Sequence, residues 1–249
     1  MKMISKVLFV LKHKIKKLII GYKKWLVLKI YPFSKPGTPE WLAGKELEYG
    51  GIITKVPRKK VSPYDTRTKE ELRSGGMTGG DRMLHHGYAQ KYSEYLLPFV
   101  KKNESFIIAE FGILKGTGLA IWSDLFPRAR IIGLDIDLGH INENMDNLKK
   151  LGAFRNNQPE LYEYDQLMEN SEYIGKILKD EKINICIDDG FHSSESIINT
   201  LKSVFPYLAD NFVYFIEDNK DVHREIRSLY PEFKVDNAGE LTVISGKVI

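Results

Sequence analysis

Residues 106–137 read FIIAEFGILKGTGLAIWSDLFPRARIIGLDID. An apolar run from Phe106 to Phe111, broken only by Glu110, leads into a turn carrying Gly112, Gly116 and Gly118. A helical pattern then places Leu119, Trp122, Leu125 and Phe126 on one face. A second apolar run, Ile131 to Leu134, ends on Asp135. Short apolar runs without polar alternation, joined by a helix, mark parallel strands covered on both faces. The order strand, glycine turn, helix, strand, acid predicts one βαβ unit.

Each part of that unit has a chemical consequence. Glycine lets the backbone approach a ligand, because no Cβ intrudes. The first N–H groups of the helix point into the same space and favour a negative group. An acid at the end of the second strand accepts hydrogen bonds from ribose hydroxyls. The expected ligand is therefore an adenosine-type cofactor at the carboxyl ends of the strands. The spacing Glu110-x-Gly112-x-x-x-Gly116 is not the G-x-G-x-x-G of dinucleotide binders, and no Gly-Lys-Ser/Thr follows as in a P-loop. It resembles the first motif of class I S-adenosylmethionine methyltransferases. An ordinary strand-to-helix turn is the plain alternative, and Asp135 at the end of the next strand argues against it.

The rest of the chain repeats the alternation. Helices are expected over Ile141–Leu151, Glu169–Asp180, Ser193–Leu208 and Asp221–Tyr230. Strands are expected over Glu160–Tyr164, Ile183–Ile187 and Phe212–Ile216. Phe233–Val235 and Leu241–Ile244 flank Asn237-Ala238-Gly239, as in a hairpin. The fold class expected is α/β: a doubly wound, Rossmann-like sheet of the class I methyltransferase type, closed by a C-terminal β-hairpin and preceded by an amphipathic helix. The expected division is residues 1–39 as basic helix and linker, 40–100 as a helical and loop cap with a cofactor lid, and 101–249 as the cofactor-binding domain. Within the cap, Trp41–Lys60 reads as mixed with a short strand at Gly51–Val56, and Lys69–Arg73 as a short helix. The four glycines between Gly75 and Gly80 read as a mobile, cofactor-gripping loop.

Acids collect where the strands end: Asp135 and Asp137, Asp165, Asp188 and Asp189, Glu217 and Asp218. In an open α/β sheet the ligand crevice lies outside those ends. Seven carboxylates on one edge repel one another unless a cation is bound. Oxygen ligands favour Mg²⁺, Ca²⁺ or Mn²⁺. Asp135 is assigned to the ribose, and Asp165 with Gln166 to the adenine. Asp189, Glu217 and Asp218 are the candidate metal ligands. His192 is the candidate base for a hydroxyl proton, which a bound metal would help to release. A helix cap or a lone strand-end acid explains either acid pair alone, but explains both at adjacent strands less well.

The motifs add a resemblance. Ile187-Asp188-Asp189-Gly190-Phe191-His192 resembles the I-D-D-G-x-H element of metal-dependent macrolide-sugar O-methyltransferases of the mycinamicin type. Phe215-Ile216-Glu217-Asp218 is similar to the I-E-D of that family and of the cephalosporin hydroxylase-like group. Asp165-Gln166 resembles their G-D-Q, with Tyr164 in place of the glycine. Gly80-Asp81-Arg82 and His86-Gly87-Tyr88 resemble an upstream segment that helps hold the cofactor. The resemblance covers about Gly79 to Ile244. It implies a Mg²⁺-dependent O-methyltransferase acting on a sugar hydroxyl of a glycan, glycolipid or glycosylated metabolite. Glu110, Gly112, Gly116, Asp135, Asp165, Gln166, Asp188, Arg82 and Tyr88 would contact S-adenosylmethionine or support its site. Asp189, Glu217 and Asp218 would hold the metal, and His192 and Asp189 would serve the chemistry. Lys115 departs from the pattern and either pairs with the cofactor carboxylate or faces solvent. A hydroxylase would need two histidines and one carboxylate around iron, and only His192 lies near these acids in sequence. A non-catalytic cofactor-binding or membrane-docking protein would have no use for both acid pairs and His192.

At 249 residues and 43% hydrophobic, the chain holds one large domain or a domain with an appendage. Its single cysteine, Cys186, lies in an apolar run, which fits a reducing cytoplasm. No Cys/His cluster has zinc spacing. The first 31 residues carry nine lysines, and no acid precedes Glu40. Ile4, Val7, Leu8, Leu11, Ile15, Leu18, Ile19 and Tyr22 recur at helical spacing. No apolar run approaches the about 20 residues of a spanning helix, and no signal-peptide pattern is present. A basic amphipathic helix on the anionic inner face of a membrane is expected, with packing on the domain or on a partner subunit as the alternative. The apolar face speaks against nucleic acid. Homo-oligomers are expected from the resemblance.

Overall fold

A computed structural model describes residues 18–50, 56–59, 62–73, 76–77, 79–102 and 104–246. The first part of the expected N-terminal stripe, Ile4 to Ile15, lies outside the described residues. So do most of the strand expected at Gly51–Val56 and part of the glycine loop.

Residues 18–30 are helical (α1). A 3-10 turn, Tyr31–Phe33, and a short linker separate it from helix α2, Pro39–Tyr49. Its start is marked by Thr38, whose side chain accepts from the Trp41 N–H, and by Pro39 in the first turn. The sequence expectation for this stretch is mixed structure, and the structure is helical. Trp41, Leu42, Ala43, Gly44, Glu46, Leu47 and Tyr49 are all buried, so α2 is covered on several faces and shows no one-sided stripe. Helix α3, Lys69–Arg73, is as expected. A two-residue antiparallel ladder joins Val56–Pro57 to Gly76–Met77. Helix α4, Ala89–Lys102, leads into the sheet.

The central sheet contains β1 (Ile107–Phe111), β2 (Arg130–Asp135), β3 (Glu160–Glu163), β4 (Ile183–Asp188), β5 (Leu208–Ile216), β6 (Lys234–Ala238) and β7 (Leu241–Ser245). Their spatial order is β3-β2-β1-β4-β5-β7-β6. The pairings β1–β2, β1–β4, β2–β3 and β4–β5 are parallel. The pairings β5–β7 and β7–β6 are antiparallel, with Gly239 in the hairpin turn at φ +71°. This is the doubly wound sheet with a terminal hairpin expected from the sequence. Helices α5 (Thr117–Leu125), α6 (Gly139–Lys150), α7 (Ser171–Leu178), α8 (Ser194–Val204) and α9 (Val222–Leu229) fill the connections.

Successive strand residues point to opposite faces, and the core divides accordingly. Ile108, Ile131, Val213 and Phe215 pack under α2, α4, α5 and α6. Ala109, Phe111, Cys186 and Tyr214 pack under α7, α8 and α9. Trp41, Met83, Tyr88 and Tyr92 belong to the first of these cores, so α2, α4 and the turn between Met83 and Tyr88 share their interior with the sheet. The strand order reverses between β1 and β4, and a crevice opens there at the carboxyl ends.

Candidate active site

The ladder continues one residue past the strands. Gly112 N–H donates to Leu134 at 2.8 Å, Asp189 N–H to Phe111 at 2.8 Å, and Glu217 N–H to Asp188 at 2.9 Å. Gly112, Asp189 and Glu217 therefore stand side by side on the carboxyl edge. Gly112 has φ +81°, and a Cβ there would overlap the backbone of Asp189 and Gly190. Gly116, at φ +78°, caps α5, and a Cβ on it would lie 2.7 Å from Ile141 Cδ1. A cavity of about 510 Å³ opens between this turn and the ends of β2, β4 and β5.

Arg82 occupies the middle of the acids. Its Nη2 donates to Glu110 Oε1 at 2.7 Å and to Asp189 Oδ2 at 2.8 Å, and its Nε donates to Glu217 Oε2 at 3.0 Å. The guanidinium carbon lies 5.7 Å from the Trp122 ring centroid and 6.0 Å from that of Tyr92. Glu110 also accepts from Trp122 Nε1 at 2.9 Å, and Glu217 accepts from the Tyr92 hydroxyl. Burial works against the charge on Arg82, but Glu217 and Glu110 outweigh it and raise its pKa. Burial pushes Glu217 and Asp189 upward against the pull of Arg82. A bound cation is expected among these acids, and part of that charge comes from within the chain. The protein carries its own cation for Glu110, Asp189 and Glu217.

A second group lies on the cavity side of Asp189. Asp189, His192 and Asp218 each offer a donor atom, all within 4.8 Å of one another. His192 Nε2 is 4.0 Å from Asp189 Oδ1, and its Nδ1 is buried without a hydrogen-bond partner. His192 and Asp218 both have left-handed backbones, at φ +63° and +56°. Such conformations in residues other than glycine are costly and cluster at functional sites. Asn219 Nδ2 donates to the His192 carbonyl at 2.9 Å and holds the two turns together. Asp218 also accepts from the Tyr88 hydroxyl at 2.7 Å, and His86 Nδ1 is 3.6 Å from it. The bond to Asp81, opposed by burial and helped by Asp218, raises the His86 pKa to about 9. Among the described residues no three-donor group contains both His86 and His192.

Of the expected metal ligands, Asp189 and Asp218 come together with His192, whereas both oxygens of Glu217 face Arg82 and Tyr92. Glu110, Gly112, Asp135 and Asp165 line the cavity, as do Arg82, Gln166 and Lys115. Asp135 Oδ2 accepts from the Ile113 and Leu114 N–H groups, each at 2.9 Å, and so braces the glycine turn. Asp165 accepts from Ser62 and from Leu167 N–H.

Four expectations need correction in detail. Gly116 does not line the cavity, because its Cα is packed against Ile141 and Leu148 in the core. The Gln166 side-chain amide is spent on structure rather than on a base. It donates to Asp188 at 2.8 Å and Thr200 at 3.0 Å, and accepts from Phe191 N–H at 3.1 Å. Asp188 does not line the cavity. It points to the opposite face of β4, buried against Gln166 and Tyr214, and burial raises it to about 6. Tyr88 does not line it either, because its hydroxyl is committed to Asp218.

Sequence reasoning did not single out Glu46 or Tyr92. Glu46 is buried in α2 and accepts from Met83 N–H at 2.8 Å and Leu84 N–H at 3.0 Å, fixing the turn that carries Arg82. A lone acid among Trp41, Leu42 and Leu47 was the available signal, since a buried carboxylate needs a partner. Tyr92 stacks on Phe215 with centroids 4.0 Å apart and had no signal beyond the apolar face of α4.

Comparison with known proteins points to the group that the motifs resemble. Mycinamicin VI 2''-O-methyltransferase of Micromonospora griseorubida is 24% identical over 142 residues, 53% of this chain and 31% of that protein. The 8-demethyl-8-alpha-L-rhamnosyl tetracenomycin-C 2'-O-methyltransferase of Streptomyces olivaceus is 25% identical over 154 residues, 56% of this chain and 35% of that one. Among solved structures, the MycE methyltransferase from the mycinamycin pathway, in complex with Mg and SAH, aligns with a TM-score of 0.49 at 17% identity. That alignment covers 64% of this chain and 50% of MycE. No family model matches the chain. The chain spans about a third of the length of the curated relatives it matches.

Proposed function

We propose that this chain transfers a methyl group from S-adenosylmethionine to a sugar hydroxyl, assisted by a divalent cation, Mg²⁺ in the first instance. One observation carries the reading. Asp189, His192 and Asp218 converge in one cavity that Gly112 of the glycine turn and Asp135 also line. Both curated relatives are named as O-methyltransferases, one of them of a rhamnosyl compound.

The residues present fit both groups. The cavity of about 510 Å³ lies within the range of small-molecule sites. Gly112 lines the cavity with bare backbone where a cofactor would approach, Asp135 would meet the ribose and Asp165 the adenine. Asp189 and Asp218 offer carboxylate donors for a divalent cation with the His192 imidazole beside them, and His86, charged at neutral pH, is a poor donor. Asp189 and Asp218 would hold the ion, and Glu217 joins them only by giving up Arg82. A hydroxylase site of two histidines and one carboxylate finds no support in this arrangement.

When bound, S-adenosylmethionine supplies an electrophilic methyl, and a cation lowers the pKa of a hydroxyl coordinated to it. The chain's own work is then positioning and proton removal. The His192 ring borders Asp189 through Nε2, and that nitrogen takes the hydroxyl proton. Asn219 and the left-handed turns fix where that ring stands. Arg82 orients Asp189 from behind and opposes the rise in its pKa that burial causes. The acceptor is a sugar on a glycan, glycolipid or glycosylated metabolite.

Titration calorimetry with S-adenosylmethionine, with and without Mg²⁺, tests cofactor and cation. Transfer of a labelled methyl to nucleotide-sugars, glycolipids and extracted polysaccharide tests the acceptor. EDTA is expected to abolish transfer, and His192→Ala to depress turnover while sparing cofactor binding. Turnover untouched by chelation refutes the cation assignment, and absence of cofactor binding refutes the whole reading.

A further inference from the structure

Eight of the thirteen exposed large hydrophobic side chains of the described residues lie between residues 18 and 33. Such side chains are ordinary when scattered, but a concentration of them marks an interaction surface. Leu18 is 73% exposed, Tyr22 62%, Trp25 54% and Phe33 89%. Tyr22 and Trp25 stack on each other with centroids 5.9 Å apart rather than on the domain. The segment is nevertheless anchored. Val27 and Tyr31 pack against the core, and Gly44 of α2 leaves the space that the Tyr31 ring fills. The Tyr31 hydroxyl donates to Glu48 at 2.5 Å. Helix α1 is thus held at one end and offers its remaining apolar side chains to solvent.

The charge pattern selects the partner. Lys23, Lys24 and Lys29 stand among these apolar residues, six further lysines precede them in sequence, and no acid occurs before Glu40. Two copies of an acid-free helix repel on pairing. Nucleic acid would match the lysines but not the exposed Leu18, Tyr22, Trp25 and Phe33. An anionic bilayer surface matches both, since aromatic and aliphatic side chains enter the headgroup boundary while lysines meet the lipid phosphates. Among the described residues no helix is long and apolar enough to cross a membrane.

We infer that α1 with Phe33 is a docking surface for an anionic lipid bilayer, on which the helix lies in the plane of the headgroups. This goes beyond the proposed activity and does not rest on it. The test is co-sedimentation of the full chain with phosphatidylcholine vesicles, with and without phosphatidylglycerol. Wild-type chain is expected to pellet with the anionic vesicles, and less so as salt is raised. Each lysine replaced should weaken partition about fivefold, taking ~1 kcal/mol per lysine at a tenfold per 1.4 kcal/mol. Lys23→Ala, Lys24→Ala and Lys29→Ala together should weaken it about a hundredfold. Trp25→Ser with Phe33→Ser should also release the chain. Unchanged thermal melting shows that these variants fold. The inference is overturned if wild-type chain stays in the supernatant with anionic vesicles, or if the lysine variants pellet like wild type. It is equally overturned if the apolar residues instead drive a dimer, seen by light scattering and abolished by Trp25→Ser, without vesicle binding.

Discussion

Removing the guanidinium of Arg82 tests the centre of the site. Arg82→Met keeps much of the side-chain volume and strands three carboxylates, those of Glu110, Asp189 and Glu217. Hydrogen bonds to charged groups contribute about 1.5–3 kcal/mol each, so three of them would suggest a loss of about 4.5–9 kcal/mol. Protonation limits that loss. Neutralising an ordinary glutamate at pH 7.5 costs about 4 kcal/mol, because each pH unit above its pKa is about 1.4 kcal/mol. The expected destabilisation is therefore about 3–5 kcal/mol, the range for breaking a buried ion pair on one side. In a chain of this size that lowers the melting temperature by about 10 °C. The deficit should shrink as pH falls, because the stranded acids have raised native pKa values and stabilise the fold as they take up protons. Mg²⁺ should raise the melting temperature of the variant more than that of wild type, by replacing the missing charge. Thermal and urea unfolding across pH 5 to 8, with and without Mg²⁺, read all three effects; Arg82→Lys serves if the methionine variant does not fold. A loss below about 1 kcal/mol, the range of a surface pair, refutes the assignment of Arg82 as the internal cation.

Burial raises the Glu46 carboxyl to about 7, so its contribution to stability is fully present below its unfolded pKa and is lost as pH rises through 7. Glu46→Gln should therefore gain about 3 kcal/mol relative to wild type between pH 4.5 and 8, read from urea midpoints; a constant difference would refute the burial argument. Gly118 of α5 faces Glu110, and a Cβ there would overlap the carboxylate that Arg82 and Trp122 pin. Gly118→Ala should cost about 1–3 kcal/mol from overpacking, more than the about 1 kcal/mol gained in helix propensity; a variant as stable as wild type refutes it. Asp218→Asn should weaken Mg²⁺ binding by at least tenfold in calorimetry while leaving cofactor affinity within about twofold, and equal Mg²⁺ affinity would remove Asp218 from the cation site.

Much of the fold was legible because its signals are local. Apolar runs bounded by acids located β1, β2, β4 and β5, and the glycine spacing located the turn. The helix spanning Pro39–Tyr49 was missed although Thr38 and Pro39 mark its start, because burial on several faces erased the period. Strand ends were legible for the same local reason, so Asp135, Asp165, Asp189 and Asp218 were placed on the correct edge.

What the sequence alone determined is the order of strands and helices and the chemistry available at the strand ends. Both follow from backbone periodicity and from where polar residues interrupt it. The tertiary structure decided which acid serves which task. Arg82 reaches Glu217 across 135 residues of chain and Asp189 across 107, and Glu46 reaches Met83 across 37. Contacts at such separations leave no period in the sequence, because they depend on how elements pack and on which carboxylates lose water when they do. That packing turned Asp188 inward, tied Glu217 to Arg82 and left His192 beside Asp189 and Asp218.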